Sequence, residues 1–94
     1  MGHKRGMARL LECFAGSAAA QSQPQRALRL AGSASALRQT LGAPLPPAEH
    51  ARMERSLEPA RQALPGTASA AAWMEGWAMP PEKALEYALA PGSA

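Results

Sequence analysis

Two histidines, one cysteine and seven glutamates are the residues of this 94-residue chain that metal or acid–base chemistry would draw on. Their spacing does not assemble a site. His3 and His50 lie in different halves of the chain and Cys13 has no second thiol, so neither an HExxH helix nor a CxxC pair exists. Glu54 and Glu58 stand four apart, as do Glu82 and Glu86, which puts each pair on one helix face. A pair of that kind reads as solvated surface before it reads as an acid–base dyad. The chain has no Asp, the usual orienter of a catalytic histidine, and no GxSxG, Walker-type or GxGxxG loop. We therefore expect no catalytic residue, no cofactor-binding residue and no metal ligand, and a protein that is not an enzyme.

The basic residues offer a second kind of chemistry. The net charge of +3 is unevenly placed: Lys4, Arg5, Arg9, Arg26, Arg29 and Arg38 precede residue 48 against the single acid Glu12, and all other glutamates follow it. Arg26, Arg29 and Arg38 could contact phosphates. Their face lacks the Asn or clustered Gln and Arg that read base edges, and no tight helix-turn-helix elbow is evident, so nucleic acid stands as the rival to a protein partner. Arginines strung along a helix read first as a solvated face. Trp73 and Trp77, four apart, are expected to supply core area, while Tyr87 is open to a core or a hot-spot role.

The elements that must position these residues are helices. There is no Val and no Ile, the residues a sheet draws on first, and Ala dominates the apolar set. The fold class is all-α, and the length allows one small domain with a thin core. Met7, Leu10, Leu11, Phe14, Ala15 and Ala18 recur at spacings of three and four and predict a helix over residues 4–21. Pro24 should open a second helix, whose buried stripe is Ala27, Leu30, Ala34, Leu37 and Leu41 and whose Arg26, Arg29, Arg38 and Gln39 look outward. Gly42 is placed to end it in a left-handed cap. The short break between the two makes them an antiparallel hairpin.

After the stiff connector "GAPLPP", a third helix is expected over 46–64, with Met53, Leu57, Ala60 and Leu64 inward. Glu49–Arg52 and Glu58–Arg61 are spaced to pair on it. Pro59 inside that helix removes one backbone hydrogen bond and predicts a kink near Arg55 or Ser56. Thr67 should cap a fourth helix over 68–78, and "PPEKALEYALA" a fifth, with Leu85, Ala88 and Leu89 inward. The closing "PGSA" should fray. Cys13 reads as a small buried hydrophobe. The start, "MGHKRGMARLLECFAGSAAAQ", mimics a secretory signal, but Glu12 interrupts its apolar stretch and the large residues follow a helical stripe. No run approaches the length of a membrane span, and a cytoplasmic location is expected.

The first two helices resemble a tetratricopeptide unit running from about Ala8 to Leu41. Leu11, Phe14, Ala15 and Ala18 fall at first-helix positions; Pro24, Ala27, Ala31 and Ala34 fall at the turn and second-helix positions. Ser22 stands where the turn Gly is usual, and no closing Pro follows near Gln39. More widely, "RLAGSASALRQTLGAPLPPAEHARMERSL" followed by "AAAWMEGWAM" resembles the C-terminal helical region of bacterial LuxR-type and AfsR-type transcriptional regulators with a signalling ATPase domain, and of related cyclase-linked proteins. The resemblance implies a tetratricopeptide-like hairpin (residues 1–42) and a helical extension (43–94) within one continuous domain. It also implies signal coupling through protein contacts and allows that the chain is a severed tail of a longer regulator. A lone repeat buries its own apolar face poorly, so Leu10, Leu11 or Phe14, together with Tyr87, form the expected interaction surface for a protein partner, neighbouring helical repeats or a second copy.

Overall fold

The computed structural model describes residues 3–90. It is all-α: α1 (His3–Ala20), α2 (Pro24–Leu41), α3 (Pro47–Ala63), α4 (Gly66–Ala78) and α5 (Pro81–Leu89), with no strand among the described residues. The expected fraying of "PGSA" and the side chain of His3 lie outside the described residues.

Two backbone devices set the ends of these helices. α1 and α2 each stop in a left-handed residue, Ser22 (φ 60°) and Gly42 (φ 64°). At the first, Gln23 N–H donates to Ala18 O at 2.9 Å and Ser22 N–H to Ala19 O at 3.1 Å. At the second, Ala43 N–H donates to Arg38 O at 3.0 Å and Gly42 N–H to Gln39 O at 3.1 Å. Both are the paired closure that satisfies the last carbonyls of a helix, and Gly42 takes the role its position in the sequence predicts. α3, α4 and α5 start differently. Pro46, Pro65 and Pro80 precede them in extended geometry, with φ between −57° and −60°. Their carbonyls accept the first helical hydrogen bonds from His50 (2.8 Å), Ser69 (2.9 Å) and Ala84 (2.9 Å). No side-chain cap is needed, and Thr67, expected to cap α4, lies inside its first turn instead.

α2 is the central post. It packs on all four other helices, and α4 lies against it nearly as extensively as α1 does. Ala27, Leu28, Leu30, Ala31, Gly32, Ser33, Ala34 and Leu37 are all buried, so α2 is enclosed on several sides rather than along one stripe. Of the expected stripe, Ala27, Leu30, Ala34 and Leu37 are buried and Leu41 only partly so, and Leu28, Ala31, Gly32 and Ser33 are buried besides. Gly32 and Gly76 explain the second buried side. A methyl group at Gly76 would collide with the carbonyl of Arg29, and one at Gly32 with the carbonyl of Trp73, with Trp77 N only 3.2 Å away. The two helices meet backbone to backbone at these positions. Ser33, 1% exposed, is satisfied there by donating from its hydroxyl to Met79 O at 3.2 Å.

The core draws on every helix: Leu11, Ala15 and Ala18 from α1, the α2 set, Leu57 and Ala60 from α3, Ala72 from α4 and Ala84 from α5. α3 turns the face expected of it inward, with Met53 and Leu64 partly buried around Leu57 and Ala60. It runs on through Pro59 for a further turn. Pro59 and Arg55, whose carbonyl loses its donor, are both exposed, where water can replace the missing bond. Several inward expectations are corrected. Leu89 is 70% exposed and Trp77 is 42% exposed, while Trp73 alone of the two tryptophans packs against the core. Cys13 is exposed rather than buried, because α1 turns Leu11 and Ala15 to α2 and leaves Cys13 on the far side.

Two stability outcomes follow from the backbone. Gly76→Ala should lower stability by about 1–3 kcal/mol through overpacking at the α2–α4 crossing. Gly16→Ala, where an added methyl meets nothing, should raise it by roughly 0.5–1 kcal/mol. Urea unfolding midpoints of the two variants should therefore move in opposite directions. Ser22→Gly should relieve a left-handed backbone and raise the thermal midpoint, whereas Gly42→Ala should lower it, each by about 1 kcal/mol in stability.

Candidate functional site

Small residues on α2 open a concavity between α2 and α3. Facing α3, α2 offers Ala31, Ala34 and Ser35, which are too short to fill the space in front of Met53 and Leu57. A groove of about 550 Å³ results, with Ala31, Ala34, Leu45, Met53 and Leu57 as its apolar floor and Trp73 of α4 at one end. That volume falls in the range of ordinary ligand-binding clefts.

Ion pairs frame it. On one rim, Arg38 Nη2 donates to Glu12 Oε1 at 3.0 Å and its Nε donates to Glu12 Oε2, a two-pronged bond between α2 and α1. Arg38 Nη1 also donates to Ala43 O at 3.0 Å, tying the α2–α3 connector to the same guanidinium. Both side chains are only 12% exposed, so this pair works in a partly dry setting where charge-assisted bonds are strong. The Glu12 hydrogen bond raises the Arg38 pKa above its ordinary value, outweighing burial, which lowers it. On the alkaline side the folding gain from this is lost only as pH rises through the raised value, beyond the working range of proteins. The other rim belongs to α3. Glu54 accepts from Arg61 Nη1 at 2.7 Å and lies 3.9 Å from His50 Nε2. Arg61 then reaches over the Trp73 ring, 5.9 Å from its centroid. The pairs anticipated from spacing, Glu49–Arg52 and Glu58–Arg61, do not form; Arg61 turns to Glu54, and Glu58 accepts from Gln62 at 3.1 Å.

The arginines named as phosphate contacts are placed in internal work. Arg26 Nη2 donates to the carbonyls of Tyr87 (2.9 Å), Ala88 (2.7 Å) and Ala90 (3.1 Å), closing the end of α5, while its guanidinium lies over the Tyr87 ring at 4.8 Å. Arg29 Nε donates to Glu75 at 2.7 Å and its Nη1 to the Tyr87 hydroxyl at 3.2 Å. The Tyr87 bond, then Glu75, raise the Arg29 pKa. With Arg38 held by Glu12, none of the three is a free outward cation, which corrects the outward placement expected of them.

The named interaction residues separate. Leu11 is fully buried and cannot serve as surface, because α1 turns it straight onto α2. Phe14 is half-buried beside Ala88 of α5, and Tyr87 is engaged by Arg26 and Arg29. Leu10, half exposed, is the one left open, and Met74 (67% exposed) and Trp77 on α4 are apolar surface the sequence reading missed. Trp77 and Met74 sit three apart on a helix whose opposite side carries Gly76, and that glycine is the signal that fixes which way α4 faces. The groove residues His50, Glu54, Ser35 and Gln39 were also missed as a group: each pair is four apart on its own helix, but no spacing links the α2 pair to the α3 pair. Among the described residues no group of three or more His, Cys, Asp or Glu is placed to hold a metal ion, and no helix is long and apolar enough to cross a membrane.

Breaking the Glu12–Arg38 contact from one side should be costly. Glu12→Ala should destabilise the fold by about 2–3 kcal/mol, because the Arg38 guanidinium keeps its desolvation and loses its partner. The Glu12→Met, Arg38→Met double variant should recover a substantial part of that loss. A double-mutant cycle read by urea denaturation checks both outcomes; additive single effects would show that the pair does not join α1 to α2 energetically.

Comparisons of the chain with protein-family models, with curated proteins and with solved structures find no match.

Proposed function

We propose that this chain is a non-catalytic helical interaction module that receives a segment of a partner protein in the α2–α3 groove. The observation that carries this reading is the groove itself: an open concavity with an apolar floor and rims of already paired charge. Such a rim asks little of a ligand in net charge and offers hydrogen bonds from Ser35, Gln39 and His50, while the floor accepts apolar anchors. That combination suits a peptide segment with alternating apolar and polar side chains, recognised as protein interfaces usually are, by a few buried anchors inside a polar surround. Met74 and Trp77, exposed on α4, extend the apolar surface available to a larger partner or to a second copy of the chain.

The resemblance to the C-terminal helical region of LuxR-type and AfsR-type regulators supports the same reading. It gives the module a role in coupling a signal between parts of a cytoplasmic bacterial regulator. On this view α1 and α2 stand in for one tetratricopeptide-like unit, and α3 to α5 close its far side. The rival, a nucleic-acid binder acting through Arg26, Arg29 and Arg38, loses support because Arg26 and Arg29 are bonded inside the fold and Arg38 alone keeps uncommitted donors.

A photo-crosslinking amino acid at Gln39, on the groove rim, should capture a partner or a second copy, and the same group at Glu82 on α5 should not. Ser35→Trp, which projects an indole into the groove, should reduce the Gln39 crosslink at least tenfold without lowering the thermal midpoint by more than a few degrees. A chain that stays monomeric in sedimentation and yields no groove-specific crosslink in cells would sink the reading.

A further inference from the structure

α1 begins with a charge pattern that works against its own stability. Lys4, Arg5 and Arg9 crowd its first half, and its first turn contains no acid. Cations there oppose the helix dipole, and Arg5 and Arg9, four apart on one face, repel each other. All three are exposed, and none forms a salt bridge among the described residues. Arg26, Arg29, Arg38 and Arg61, by contrast, are each committed to a carboxylate or to backbone carbonyls.

Two of these unpaired cations face a second concavity. Arg5, Gly6 and Arg9 of α1 line a cleft of about 270 Å³ whose other wall is Ala43 and Pro44 of the connector, with Arg38 also lining it. Gly6 leaves its space open, since an added methyl there would meet nothing. Arg38 and Pro44 line the interaction groove too, so they divide one concavity from the other. The Arg38 guanidinium is immobilised by Glu12 and Ala43 O, and two of its N–H bonds remain uncommitted. Arg5 and Arg9 bring two unpaired positive charges to the cleft, while Arg38 is balanced by the carboxylate of Glu12 and, at longer range, that of Glu49. A phosphate monoester carries about −1.5 to −2 at neutral pH, which matches that surplus, and the planar fork of arginine suits its oxygens.

We propose that the Arg5–Arg9–Arg38 cleft binds the phosphate group of a small soluble phosphomonoester. The bound dianion offsets the repulsion between Arg5 and Arg9 and the unfavourable charge at the start of α1. Arg5 and Arg9 supply mobile forked donors, and Arg38 supplies a fixed one at the back. The cleft is small, so the phosphate and a few neighbouring atoms fill it. This site is independent of a partner in the groove, and either reading can fail without the other.

The test uses the full chain with two probes, inorganic phosphate and phenyl phosphate, followed by amide NMR shifts. Saturable shifts at Arg5, Gly6, Arg9 and Ala43, with chloride at equal ionic strength causing none, are the expected result. Arg9→Gln should weaken binding about tenfold or more, the loss of one charge-assisted hydrogen bond. Arg55→Gln, which removes one exposed positive charge from α3, should leave it within twofold. Equal weakening by both variants would overturn the proposal, since it would mean a diffuse field rather than a site. So would binding to duplex DNA or to vesicles of anionic lipid with no saturable response to either small probe. Shifts confined to residues outside the cleft would overturn it as well.

Discussion

Everything in this fold depends on how close α4 can come to α2. Helices with ordinary side chains at their contact stay 8–10 Å apart, and a chain this short, built mainly from alanine, cannot fill such a gap. Gly32 and Gly76 remove the obstacle by letting each backbone meet the other directly. The close crossing then brings Ser33 to the end of α4 and Glu75 to Arg29, and it leaves Trp73 packed at the groove end with Trp77 pointing away. Dispersion between many closely spaced small groups does here what large side chains do in a deeper core.

Arginine is the second structural resource. Where apolar area is scarce, guanidiniums bridge elements: Arg38 ties α1, α2 and the connector, Arg29 ties α2 to α4 and α5, and Arg26 closes α5 onto α2. Each serves several acceptors at once, which a lysine in the same place could not do with the same geometry. The consequence for function is a sorting of charge. Cations on α2 are largely spent on architecture, α3 balances three arginines with three glutamates, and the cations left without a carboxylate partner stand mainly on α1.

The groove and the cleft share one origin. Both are bordered by Pro44 of the connector, which Arg38 ties down through Ala43 O, while α2 presents alanine and serine to α3. A longer side chain at Ala31 or Ala34 would close the groove from within and a charge at Ser35 would change its character. The concavities are thus products of small residues and a tethered loop.

The sequence alone determined the helices and most of their ends. Missing β-branched Val and Ile, the three-and-four spacing of Leu and Met, Pro24 as an opener and Gly42 as a closer are local facts, and local backbone preference decides them. The inner face of α3 was legible for the same reason, since Met53, Leu57, Ala60 and Leu64 are large enough to mark it. What only the tertiary structure decided is which small residues meet and which charges pair. Gly32 and Gly76, Glu12 and Arg38, and Arg26 and the end of α5 are far apart in sequence and carry no spacing signal. An alanine or glycine looks alike on any face of a helix, so the second buried side of α2, the exposure of Trp77 and the placing of every arginine had to wait for the packing that creates them.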